Sequence, residues 1–176
     1  MRSASLVIAA LAATPAMVPL ALADSPPNVA AKQVAGLFMQ SCVRFAGDKD
    51  GLREWATQTG LKALPKGGQD RFLYGLPGTV FDASNKDGKF VLMSEDGGAC
   101  SVVAERASGA GVIADLEQDL NDARISFKVT AEKADPQETA LKHREYQASQ
   151  GGRGWLLLVS TVKDQVGQAM LTANRF

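Results

Sequence analysis

The one histidine of the chain, His143, is the side chain best suited to acid–base chemistry near neutral pH. A zinc site around it would need cysteine or carboxylate neighbours at ligand spacing, but its immediate neighbours are Lys142 and Arg144. A serine-type triad would need a nucleophile on a sharp Gly-x-Ser-x-Gly turn, which the sequence lacks. We therefore expect His143 to lie at the surface, and we expect no catalytic residue, metal site or cofactor. If the protein catalyses a reaction, His143 is the first residue to substitute.

The two cysteines, Cys42 and Cys100, are a second candidate for chemistry. Redox-active pairs usually lie close together as Cys-x-x-Cys, whereas these two are far apart and fall in different predicted elements. In an oxidising compartment, an even number of cysteines with no other ligands usually means a disulfide. The sequence therefore predicts a structural disulfide between Cys42 and Cys100.

Three short polar segments resemble ion-binding loops. Residues 48–51 and 85–88 each end in a glycine, as calcium loops do, but neither has the first-position ligand and the twelfth-position Glu of an EF-hand. Residues 108–111 precede a helix and could offer backbone amides to an anion, but no phosphate-binding Lys or Thr follows them. The patterns indicate helix caps at 48–51 and Ser108, and a hairpin turn at 85–88.

The two tryptophans, Trp55 and Trp155, could line a groove for a sugar or a peptide. Both fall at periodic positions of predicted elements, a pattern that is more typical of core residues. Together with His143 they are the candidate ligand-binding residues, and no motif identifies the ligand.

The first 23 residues have the parts of a secretory signal peptide. Arg2 supplies a positive charge, residues 6–22 contain no charged side chain, and Ala21 and Ala23 are small residues at the positions that a signal peptidase recognises. We expect cleavage between Ala23 and Asp24. Two prolines interrupt the apolar run, which is shorter than the roughly 20 residues of a membrane-spanning helix. The sequence predicts a periplasmic or secreted protein with no membrane span after cleavage.

The mature chain, residues 24–176, has 153 residues, which suits a single domain with one core. Because Arg2 leaves with the signal peptide, the mature chain has a net charge of −1. A near-neutral chain without a basic block lacks the electrostatic footprint of proteins that bind nucleic acid or anionic lipid. We therefore expect no nucleic-acid partner, and a partner in the periplasm or the envelope.

Hydrophobic periodicity predicts three helices. Residues 28–45 carry an apolar face that includes Cys42, a second helix ends at Gly60, and a third begins at Ser108 and places Asp119 on its solvent side. Residues 61–78 contain four glycines and two prolines and are expected to form a loop.

Alternating and continuous apolar runs predict strands at 79–81, 89–94, 100–105, 125–130, 155–159 and 169–173. Residues 155–159 form a continuous apolar run, which is typical of a strand that is covered on both faces. The segment 136–149 is ambiguous, since Asp135 and the next three residues carry helix N-terminal signals but the flanking strands and the turn at 150–154 suit a hairpin. We favour a strand there.

This order of elements predicts an α+β domain. We expect an antiparallel sheet of about five to seven strands, with two N-terminal helices and one central helix packed on one face. Helices that precede a curved sheet loosely resemble the cone-shaped, nuclear-transport-factor-like architecture, although a fold alone does not define a function.

Three segments carry a resemblance to a known group of proteins: residues 37–42, 76–81 and 95–102. Together they resemble a family of small uncharacterised exported proteins of Gram-negative bacteria. The resemblance implies paired cysteines and a periplasmic setting, and it implies no activity or catalytic residue.

Three functions are compatible with these observations. The first is an exported non-enzymatic module that binds a protein, a peptide or an envelope component. The second is a cofactor-independent small-ligand binder or enzyme on a cone-shaped α+β fold, which a pocket lined by aromatic residues and one ionisable group would favour. The third is an inhibitor or immunity protein for a secreted enzyme.

Overall fold

The structure is a computed structural model that describes residues 26–163 and 165–176. The predicted signal peptide and its cleavage site between Ala23 and Asp24 lie outside the described residues. Within the described ranges, no helix is long and apolar enough to cross a membrane.

Helices and strands form an α+β arrangement with a single antiparallel sheet. The helices are α1 (Pro26–Phe38), which continues into a π-helical turn (Met39–Val43), α2 (Lys49–Gln58), α3 (Lys66–Leu73) and α4 (Gly109–Asp122). The strands are β1 (Lys62–Ala63), β2 (Gly78–Asp82), β3 (Phe90–Glu95), β4 (Cys100–Ser108), β5 (Ser126–Ala134), β6 (Leu141–Gln150), β7 (Arg153–Val162) and β8 (Val166–Arg175). Their order across the sheet is β1-β2-β3-β4-β8-β7-β6-β5.

The described residues contain eight strands, so the expected number of about five to seven was too low. The additional strand is β1, whose two residues pair with Phe81 and Asp82 at one edge of the sheet. Such a short strand carries no alternating pattern of its own, because its formation depends on the neighbouring strand.

Three helices cover one face of the sheet, as predicted. This helical face carries Phe90, Leu92 and Val102, which are buried in the main core together with residues of α1, α2 and α4. The face is apolar at alternate strand positions because successive side chains point to opposite sides of a sheet.

A fourth helix, α3, packs on the opposite face, where the sequence predicted only a loop. Leu73 at its end is buried against Val80, Met93 and Val103 of three neighbouring strands. The prediction was wrong because Pro65 and the two glycines of this segment are typical of loops. The helix is instead held by its apolar contacts with the sheet, which are remote in sequence.

The predicted disulfide is present between Cys42 and Cys100. Cys42 lies in the π-helical turn after α1, and Cys100 is the first residue of β4. Their Cα atoms are 5.2 Å apart, within the usual range for a disulfide. The bond therefore joins the end of the first helix to the centre of the sheet.

The ambiguous segment forms a strand, β6, which pairs with both β5 and β7. The helix-like signals at Asp135 are nevertheless real, because its carboxylate accepts hydrogen bonds from the backbone N–H groups of Gln137 and Glu138 at 2.8 and 2.7 Å. These bonds cap a turn that no helix follows.

Strand β7 is covered on only one face along part of its length. Trp155, Leu157 and Val159 are buried in the main core, whereas Leu156 on the opposite face is 51% exposed. The expectation of a strand covered on both faces was therefore wrong, because α3 covers only the β2–β4 side of the opposite face.

Candidate ligand-binding groove

A groove of about 550 Å³ lies on the helical side of the protein, between α1, α2, α4 and the turn that joins β2 to β3. We call it the α1–α2 groove. Its apolar side chains are buried or half-buried: Leu37, Trp55, Leu61 and Phe90. Its exposed polar side chains are three amides and two hydroxyls: Gln33, Gln40, Asn85, Thr59 and Ser84. Two opposite charges, Lys32 and Asp119, also line the groove.

Helix α1 has one face packed against the sheet, and its neighbouring face lines the groove. Val34 and Phe38 are fully buried, whereas Gln33 and Leu37 line the groove. The helix then widens into the π-helical turn, where the Ser41 hydroxyl donates to the Leu37 carbonyl oxygen at 2.6 Å. Single π-helical turns are frequent at functional sites. This one lies at the end of the groove that holds Gln40.

Helix α2 positions Trp55. The helix begins where the Asp48 carboxylate accepts a hydrogen bond from the Gly51 N–H at 2.9 Å, which is the cap predicted for this segment. Leu52 and Ala56 face the core, and Trp55 between them is half-buried. Its ring packs against Phe45 with centroids 5.9 Å apart. The core contact therefore orients the indole while leaving part of it open to the groove.

Trp155 is buried in the core, unlike the half-buried Trp55. It is 2% exposed, and its indole N–H donates to the Val43 carbonyl oxygen at 3.1 Å. Trp155 is therefore a core residue with a satisfied donor, and only Trp55 belongs to the groove.

The turn between β2 and β3 is held by its own side chains. The Asp82 carboxylate accepts from the Ser84 N–H, and the Asn85 side-chain oxygen accepts from the Asp87 N–H at 2.8 Å. The predicted hairpin turn at 85–88 is therefore present, closed by a bridge between Asn85 and Gly88. These bonds give the polar side of the groove a defined shape before any ligand arrives.

Asp119 is the ionisable group whose surroundings are most unusual in the groove. Its pKa is raised by partial burial and by the like charges of Asp115 and Asp122, while Lys32 acts in the opposite direction. Sequence analysis placed this residue on the solvent side of α4, but it is half-buried because α1 packs alongside. Carboxyl groups with raised pKa values are enriched at functional sites.

His143 lies elsewhere, on the face of the sheet opposite the groove. Its side chain is partly covered, with 17% of its surface exposed. Its Nδ1 is 2.8 Å from the Ser160 hydroxyl, and its Nε2 is 2.8 Å from the Asp135 carboxylate. Asp135, in the turn after β5, lies against the imidazole ring and covers part of it.

The three side chains combine the residue types of a serine-type triad, but none of them lines the α1–α2 groove. Ser160 is 8% exposed and lies within β7 rather than on a sharp turn. The arrangement instead ties the turn after β5 to the middle of the sheet. The hydrogen bond with His143, followed by the two hydrogen bonds that the carboxylate accepts from backbone N–H groups, lowers the pKa of Asp135 to about 2.

A second polar cluster, which the sequence did not reveal, joins α4 to β6. The Tyr146 hydroxyl donates to Glu117 at 2.9 Å, and the guanidinium of Arg144 contacts both Glu117 and Glu132 at 3.1 Å. Burial and the Glu117 carboxylate raise the pKa of Tyr146. The alternation of Arg144 and Tyr146 along one strand was the available signal, but it does not identify partners on another element.

Ser108 caps α4, as its position before the helix predicted, since its hydroxyl accepts from the Gly111 N–H at 3.2 Å.

Among the residues that the structure describes, no group of three or more His, Cys, Asp or Glu side chains could hold a metal ion.

Comparison with known proteins identifies no relative. The chain matches no protein-family model, no curated protein and no solved structure.

Proposed function

We propose that the protein is an exported, non-enzymatic binding module that holds a short peptide-like ligand in the α1–α2 groove. The observation that carries this proposal is the half-buried Trp55 in a concave site of about 550 Å³. Ligand sites in proteins are typically about 300–1,000 Å³ in volume and combine apolar walls with a few polar groups.

The chemistry of the polar side chains favours an amide-rich ligand. Gln33, Gln40 and Asn85 each present both donor and acceptor groups, so they can match the N–H and C=O of a peptide backbone. The indole of Trp55, together with the side chains of Leu37 and Phe90, offers an apolar surface to a ligand side chain.

The charges of the groove suit the ends of such a ligand. Lys32 can pair with a carboxylate and Asp119 with an amine, and both line the same site. An amine beside Asp119 would also relieve the repulsion from its two acidic neighbours. A short peptide carries both groups.

Export supports a ligand from the periplasm or the envelope. The sequence carries the features of a signal peptide, and the Cys42–Cys100 bond is of the kind that persists in oxidising compartments. The absence of His143 and Ser160 from the groove lining supports a binding role rather than hydrolysis of the ligand.

The proposal is tested by incubating the mature chain with a defined pool of short free peptides and identifying the retained peptides by mass spectrometry. We expect retention of peptides with an apolar side chain, and we expect Trp55→Ala to lose them. Leu156→Ala is the matched control, because it removes a half-exposed apolar side chain from the other face of the sheet. Equal retention by both variants, or retention of no peptide by the natural chain, would contradict the proposal.

A further inference from the structure

The loop after α3 ends in an exposed apolar tip, formed by residues 74–77. Tyr74 is 89% exposed and Leu76 is 55% exposed, and Pro77 beside them is also exposed. These are the largest exposures among the bulky apolar side chains of α3 and its flanking loop. Large apolar side chains that project into water in this way are a feature of interaction sites when they cluster.

Tyr74 also adopts a backbone conformation that its side chain disfavours. Its φ and ψ of 49° and 37° place it in the left-handed region, and its N–H caps α3 by donating to the Asp70 carbonyl oxygen. Glycine or asparagine is the usual residue at such a helix end, since a bulky residue there is strained. The tyrosine ring therefore brings strain and exposure without packing inside the protein, which points to a contact outside it.

Packing and backbone hydrogen bonds fix the position of the tip relative to the sheet. Immediately before it, Leu73 is 5% exposed in the cluster with Val80 and Met93. Within the tip, the Pro77 carbonyl oxygen accepts from the Asp96 N–H at 2.9 Å, and the Leu76 N–H donates to the Leu73 carbonyl oxygen at 2.8 Å. The exposed side chains therefore project from a well-defined turn.

Positive charges accompany the tip. Lys66 and Arg71 of α3 are exposed, and the single acid of residues 66–77, Asp70, pairs with Lys66 at 3.2 Å. Residues 66–77 have a net charge of +1 in a chain whose overall charge is zero. On the adjacent hairpin, Asp96 is engaged by Arg53, and Glu95 is half-buried.

We propose that the tip inserts into the interfacial region of an anionic phospholipid bilayer, with the basic side chains of Lys66 and Arg71 on the headgroups. A narrow convex tip suits a deformable lipid surface, and tyrosine favours the boundary between headgroups and acyl chains. Each basic side chain near an anionic surface contributes about fivefold to binding. The sequence predicted no lipid contact because these cations are spaced along the chain and form no basic block.

This contact is separate from the proposed peptide site. The tip follows α3, which packs on the opposite face of the sheet, whereas the groove lies on the helical face. A protein attached to lipid through the tip would therefore keep its groove accessible, and loss of one binding event does not entail loss of the other.

The test is co-sedimentation of the mature chain with phosphatidylcholine vesicles that contain phosphatidylglycerol, compared with vesicles of phosphatidylcholine alone. We expect binding to the anionic vesicles only, and we expect high salt to weaken it through screening. The double variant Tyr74→Gly/Leu76→Ser should bind about tenfold more weakly, because it removes the apolar side chains that would leave water. Lys66→Gln/Arg71→Gln should lose a similar or larger factor.

Two controls keep the result interpretable. Tyr74→Gly relieves the left-handed strain, so the variant should unfold at the same or a higher temperature than the natural chain while binding less. Leu156→Ser removes a comparably exposed leucine from β7 and should leave vesicle binding unchanged. Equal binding to neutral vesicles, unchanged binding by Tyr74→Gly/Leu76→Ser, or self-association that Tyr74→Gly abolishes would overturn the proposal.

Discussion

Removal of the disulfide is the perturbation with the largest expected effect on stability. In the double variant Cys42→Ala/Cys100→Ala, the chain between the two positions is no longer closed in the unfolded state. The two residues are 58 positions apart in sequence. For a loop of that length, the chain-entropy relation gives a stabilisation of about 4 kcal/mol at 25 °C.

That magnitude is a large part of the about 5–15 kcal/mol that stabilises a typical domain. For a chain of this size, each kcal/mol corresponds to about 2–4 °C in Tm, so we expect Tm to fall by about 8–16 °C. Both sulfur atoms are buried, so the small loss of packing adds to the entropic effect in the same direction.

The assay is urea unfolding of the mature chain followed by far-UV circular dichroism. The double variant in any buffer and the natural chain in dithiothreitol should show the same lowered midpoint, because both lack the bond. A loss below about 1 kcal/mol would refute the reasoning, since the entropic contribution of so long a loop would then be absent. Stability of the natural chain that does not respond to reductant would refute it equally.

Two further predictions concern carboxyl groups in different surroundings. Because the pKa of Asp135 is lowered to about 2 from an ordinary value of 3.8, its contribution to stability is present above about pH 4 and is lost as pH falls toward 2. Urea midpoints between pH 5 and 2 should therefore fall for the natural chain and change less for Asp135→Asn. The pKa of Asp119 is raised instead, which means that its ionised carboxylate destabilises the folded state. Asp119→Asn should therefore raise the urea midpoint at neutral pH, and acidification, which protonates Asp119 in the natural chain, should remove the difference. A neutral-pH midpoint lowered by Asp119→Asn would contradict this account of its surroundings.

The parts of the fold that depend on local patterns were predictable from the sequence. The apolar face of residues 28–45 required only a helical repeat, and it placed Cys42 on the buried side. The strands predicted at 89–94 and 100–105 followed from their own apolar runs and are present as β3 and β4. In both cases, the residues that determine the structure are neighbours in the chain.

The parts that depend on contacts remote in sequence were not predictable. The helix α3 exists because Leu73 meets strands that follow it in the chain, and its own glycines suggest a loop. The signals at Asp135 were correctly identified as capping, but whether a helix follows depends on the pairing of β6 with β5 and β7.

The candidate site illustrates the same limit. Trp55 and Trp155 occupy equally periodic positions, yet one lines a groove and the other is buried, because only the second is covered by the π-helical turn at Val43. Asp119 looked like an ordinary solvent-facing residue until the packing of α1 against α4 was known. Periodicity identifies which side of an element is apolar, but it does not show what covers that side.

The most direct test of ligand binding in the α1–α2 groove uses the fact that the chain has two tryptophans. Their indole N–H groups give two signals in a ¹H–¹⁵N correlation spectrum, and Trp55→Phe assigns them. On titration with a peptide retained from the pool, we predict that the Trp55 signal shifts in a saturable manner while the buried Trp155 signal stays in place. A Trp55 signal that does not move when the peptide binds would contradict the central claim.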